Sequence, residues 1–194
     1  MSEVPSGALL LRVSVLAVVV VFFQIGVVSE VPVFGVNADL TPLLVAFIGL
    51  LCGSMLGAVG GFAVGLLVDL ALLQTLGLTS LVFTMIGYWS GRLRELRDPQ
   101  AALAPLLVGA VASAVALVGY SLMEFLLGVD APVSFELLRQ IVLGILVNSI
   151  VALPMWAIVR RVLEGALPED PRRRRTRRAY TTGGLSPLSK TRPS

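Results

Sequence analysis

Apolar residues in this chain fall into long blocks separated by short polar connections, and each block predicts a helix able to cross a bilayer. A spanning helix needs about 20 mostly apolar residues. The first block, 8–28, is interrupted only by Arg12, Ser14 and Gln24. A secretory signal would carry a basic flank, a shorter apolar run and an Ala-x-Ala cleavage site. Here the preceding charge is Glu3 and no such site follows, so the block is expected to stay as a helix. After a connection with Pro32, Gly35 and Asn37, the chain is apolar from Leu40 to Leu73 with Asp69 as the one charge. As a single straight helix this stretch would measure about 50 Å, against a hydrocarbon core of about 30 Å. Two short helices folded at Cys52-Gly53-Ser54 are therefore expected, over 40–52 and 54–73. The blocks 74–90, 101–127 and 137–163 complete six spans; merging the second and third would leave five.

Charge then orients the blocks. With both termini on the cytoplasmic side, Arg12, the Arg92/Arg94/Arg97 loop, Arg160, Arg161 and every cation after Pro171 share one face, and Arg139 is the exception. The opposite connections hold Glu30, Asp39, Asp130 and Glu136. That is the positive-inside pattern, and it suits an even number of spans. Glu136 stands three residues before Arg139 and can pair with it on a helix.

Composition narrows the chemistry. The chain is 56% hydrophobic and 14% charged, where soluble proteins average about 45–50% and about 25%. Mean hydropathy is +0.91. There is no histidine, and Cys52 is the single cysteine, which removes zinc centres built on these residues and any internal disulfide. No Ser/His/Asp set, Gly-x-Ser-x-Gly elbow or phosphate-binding glycine loop with lysine occurs, and the one lysine, Lys190, lies in the tail. Neither an enzyme nor a cofactor is expected.

Within the spans the most specific signal is a glycine ladder: Gly49, Gly53, Gly57, Gly61 and Gly65, with Gly60 beside it. Four residues advance a helix by about 400°, so such glycines stay near one face and let another backbone approach. That face either packs the second and third spans together or receives a helix of another protein. Asp69 ends the ladder; it is either a functional intramembrane carboxylate or a group that reaches water or bonds the backbone of the next turn. Gln24, Asp39 and Glu124 are polar candidates at the outer ends, joined there by Tyr120. Asn148 is expected to bond another helix, and Pro105 and Pro154 to bend theirs.

The segment 164–194 is polar and rich in proline, which predicts a disordered cytoplasmic tail beyond a 1–163 transmembrane domain. Arg172, Arg173, Arg174, Arg175, Arg177 and Arg178 form a run attracted to anionic lipid and suited to fixing topology. Lipid, not nucleic acid, is the expected partner of that run.

At Gly61-Phe62-Ala63-Val64-Gly65-Leu66-Leu67-Val68-Asp69, with Gly77 after it and Gly87-Tyr88 further on, the sequence resembles the bacterial rod shape-determining protein MreD family. The resemblance covers most of 8–163, including Gln24 near the end of the first helix and the Asp39-Leu40 pair opening the second. Many members have proline before that aspartate, where this chain has Ala38. The resemblance implies a non-enzymatic multi-pass subunit of the elongation machinery in the bacterial cytoplasmic membrane, supporting lateral peptidoglycan synthesis and cell shape. Its implied partners are an MreC-like bitopic protein, MreB-like filaments and a transpeptidase–glycosyltransferase pair. The implied fold is all-α, similar to the substrate-binding subunits of energy-coupling-factor vitamin transporters. The alternative function is such a transport subunit, and a membrane-embedded enzyme acting on lipid headgroups stands behind it.

Overall fold

The computed structural model describes residues 6–30, 35–73, 75–96, 104–126, 128 and 135–166. These form six α-helices and no strand: α1 (Gly7–Gly26), α2 (Leu40–Cys52), α3 (Ser54–Ala71), α4 (Leu78–Leu96), α5 (Ala104–Leu126) and α6 (Phe135–Leu163). A 3-10 turn over Val28–Glu30 follows α1.

Local chemistry sets the helix ends. Ser6 caps α1, its hydroxyl accepting from the Leu9 N–H at 3.3 Å. Asp39 caps α2 by accepting from the Thr41 N–H at 3.0 Å. Pro42 then falls in the first turn, whose N–H groups have no intrahelical partner to lose. Gly53 ends α2 at φ 98°, a left-handed conformation that favours glycine, and α3 starts on the next residue. The chain therefore folds at Cys52-Gly53-Ser54. Pro105 lies at the start of the described part of α5. Pro154 lies inside the continuous α6, on its exposed face.

The fourth helix departs most from its expected range of 74–90. It starts at Leu78, because Gly77 adopts φ 94° immediately before it, and it runs on to Leu96 through Arg92 and Arg94.

The shortest helix is the most buried. Every residue of α2 from Leu40 to Leu50 is buried, and α1, α3, α4, α5 and α6 all pack against it. A helix apolar on all sides suits a position enclosed by protein. Phe47 meets Trp156 of α6 edge to face at 5.3 Å, fixing that side of the core. Thirteen residues make about 20 Å of helix, shorter than the lipid core, and α2 touches protein rather than lipid over most of its length.

Among the described residues, four helices are long and apolar enough to cross a membrane: Gly7–Gly26, Ser54–Ala71, Ala104–Met123 and Leu137–Leu163. Large apolar side chains such as Leu11, Val19, Phe22, Met55, Val111 and Ile150 are exposed around the outside. The chain is an all-helical integral membrane protein. Arginines gather at the end of the bundle that holds the α2–α3 fold. An Arg94 side-chain nitrogen would lie 3.9 Å from a Cβ placed on Gly53. Arg12 donates to the Val162 carbonyl at 3.2 Å, and Arg160 pairs with Glu164 at 2.6 Å.

Candidate functional site

Two features stand out among the described residues: a junction of three bare backbones, and a buried polar cluster at the opposite end from Arg12, Arg94 and Arg160. In the junction, α3 and α4 run antiparallel. A Cβ added at Gly57 would land on the Gly87 carbonyl oxygen, one at Gly61 on the Phe83 carbonyl oxygen, and one at Gly65 on the Cα of Ser80. From the other side, a Cβ at Gly87 would meet the Gly57 carbonyl, and one at Gly91 the backbone of Ser54. Gly49 brings in α2, since its Cβ would also meet the Gly87 carbonyl. Close approach of this kind replaces the hydrophobic drive that is missing between helices in lipid with van der Waals contact.

The other helix-packing candidates do different work. Gly53 and Gly77 supply the left-handed turns described above. Gly60 faces Ile48 across an ordinary 3.6 Å and could carry a methyl group. Phe62 is exposed on the outward face of α3.

In the polar cluster, Gln24 of α1 brackets the entry to α2. Its Nε2 donates to the Ala38 carbonyl at 2.9 Å and its Oε1 accepts from the Leu40 N–H at 2.9 Å. Between them, the Asp39 N–H donates to Asn148 Oδ1 of α6 at 2.8 Å, and the Asp39 carboxylate also accepts from the Thr41 hydroxyl. Three helices are thereby tied through consecutive backbone groups. Asp69 is 0% exposed. Its carboxylate accepts from the Gly77 N–H at 2.8 Å and the Thr79 N–H at 3.3 Å, so it closes the turn from α3 to α4. Tyr120 of α5 lies near Thr79, Asp39 and Asp69. Buried backbone donors need partners, and both carboxylates supply them.

A family model for the rod shape-determining protein MreD matches residues 7–164, from the first turn of α1 to just past the end of α6. The chain belongs to the MreD family. Comparisons with curated proteins and with solved structures gave no match. As an MreD-family chain it is a rod shape-determining membrane protein.

Of the residues singled out in the MreD-family sequence, Gly49, Gly57, Gly61 and Gly65 meet at the three-helix junction. Gln24 joins Asp39, and Asp69 joins Gly77. The side chains of Glu124 and Glu136, and the arginines from Arg172 to Arg178, lie outside the described residues. The expected packing of α2 against α3 is present, since a Cβ at Gly57 would also meet the Gly49 Cα, but α4, which the sequence reading did not include, is the principal partner of the ladder. The signal was present in the small residues Ser80, Gly87 and Gly91 on that helix. Asn148 does bond across helices, but to the backbone that opens α2.

Proposed function

We propose that this protein is a non-enzymatic adaptor of the elongation machinery, binding an MreC-like bitopic protein and, with it, peptidoglycan synthases. The observation that carries this reading is the MreD match over the entire helical bundle. The polar residues support it as well, because Asp39 and Asp69 are engaged with backbone N–H groups rather than turned toward a substrate. The protein lies in the bacterial cytoplasmic membrane with both termini inside, α2 and α4 completing six passes. The glycine junction acts by shaping the bundle, and partners meet its outward apolar faces. MreB-like filaments meet the arginine-bearing end.

Affinity purification of the tagged chain from native envelopes in mild detergent, followed by mass spectrometry, tests the proposal. MreC and a transpeptidase–glycosyltransferase pair are expected. Recovery of an ATPase pair with a coupling membrane subunit would instead make the chain the substrate-binding subunit of a vitamin transporter. A stably expressed Gly65→Leu variant that keeps both cell shape and partner capture would count against a role for the junction.

A further inference from the structure

Asp39 and Asp69 sit at the same end of the bundle, but their oxygens are used differently. Asp69 uses both: Oδ2 accepts from the Gly77 N–H and Oδ1 from the Thr79 N–H. At Asp39 the Thr41 N–H and the Thr41 hydroxyl both donate to Oδ1. Oδ2 is therefore the place where a proton can be added without removing the cap of α2. A protonated carboxyl keeps acceptor capacity, so Asp39 caps the helix in either state.

The groups around Asp39 favour its neutral form. The residue is half-buried, open enough for a proton to arrive and enclosed enough to disfavour a charge. From α1 comes Gln24 and from α6 Asn148, both uncharged and both bonded to the backbone of this segment. Tyr120 of α5 lies near Asp39 and also near Asp69 of α3, a second carboxylate. On α4 the neighbour is Thr79, while Arg92 and Arg94 stand at the far end of that helix. Arg139 is exposed nine residues before Asn148, half a turn round α6, and Glu30 is exposed beyond α1. The described groups that face Asp39 are thus neutral or acidic. Burial pushes its carboxyl above the usual carboxylate range, against the two hydrogen bonds from Thr41.

We propose that Asp39 is a proton-binding site: it takes up one proton at Oδ2 as pH falls, and the neutral carboxyl steadies the tie between α1, α2 and α6 while Oδ1 goes on capping α2. A carboxyl that holds its proton more tightly in the folded chain adds stability below its unfolded value, and that stability is lost as pH rises through the folded value. This end of the bundle is therefore firmer in acid. The inference stands whichever proteins the chain binds.

The test uses the full chain in mild detergent, isotope-labelled at its aspartate side-chain carboxyls. Infrared spectroscopy follows the C=O stretch of a protonated carboxyl as pH is raised. A label-sensitive band is expected to persist above the ordinary aspartate value of about 3.9; Asp39→Asn removes it and Asp69→Asn leaves it. Thr41→Val deletes a hydroxyl that favours the charged form, so the band should last to higher pH. Relative to Asp39→Asn, the unfolding midpoint of the unsubstituted chain should fall by about 3–5 °C per pH unit through this titration, the slope one proton imposes on a chain of this size. Should Asp39→Asn not fold, the shift in Thr41→Val decides. Aspartates that all titrate at the ordinary value overturn the proposal, as does a band unmoved by Thr41→Val or one lost in Asp69→Asn but kept in Asp39→Asn. An unfolding midpoint with the same pH slope in the presence and absence of Asp39 overturns it too.

Discussion

The α3–α4 seam and the α5–α6 seam both contain glycines, yet they are built differently. At α3–α4 the atoms that crowd each absent Cβ are backbone carbonyls and α-carbons on the facing helix. At α5–α6 they are side chains: a Cβ at Gly109 would lie 2.7 Å from the Ala152 Cβ, and one at Gly144 would lie 2.9 Å from a Leu117 methyl. A leucine end can rotate away, whereas a carbonyl cannot move without its helix. The glycines of the first seam therefore set how closely two helices approach. In the second, Gly144 trims a side-chain contact that can repack, while Gly109 faces the Ala152 Cβ, which moves only with its helix.

Four substitutions test this difference, the largest effect first. Gly57→Val should prevent folding or cost more than about 3 kcal/mol, since forcing bulk against backbone moves whole elements; the readout is thermal unfolding in mild detergent. Its loss should persist whichever neighbouring side chain is trimmed. Asp69→Ala should cost about 1–3 kcal/mol by stranding the buried N–H of Thr79 and releasing that of Gly77, and amide exchange at those two residues should rise with it. Gly144→Ala should cost about 1–2 kcal/mol, and Leu117→Ala in the same chain should recover part of the loss; absence of recovery would erase the distinction between the seams. Gly60→Ala, one residue from the crowded Gly61, should be neutral or raise stability by up to about 1 kcal/mol through helix propensity. A large loss at Gly60 would mean that the ladder tolerates no methyl group anywhere.

Much of this architecture was legible beforehand. The fold at Gly53 followed from a stretch too long for one pass, and the glycine spacing marked a close-packing face. The start of α4 was not legible, because it depends on Asp69 capping a turn eight residues away and on the left-handed Gly77. An apolar groove on the outward side of the α3–α4 hairpin was hidden for a similar reason. Phe62 and Trp89 are 27 positions apart, and only antiparallel packing of their helices makes them walls of one space.

Hydropathy and composition alone determined that this is a helical membrane protein. Transfer of a residue into lipid is a property of that residue, and it sums along the chain. Tertiary structure alone decided that α2 is enclosed by the other helices, that Gly87 and Gly91 complete the ladder, and that Gln24 holds the backbone on either side of Asp39 while Asn148 accepts from the Asp39 N–H. Each of those depends on two distant segments meeting within hydrogen-bond or van der Waals range, a geometry that no single stretch of sequence contains.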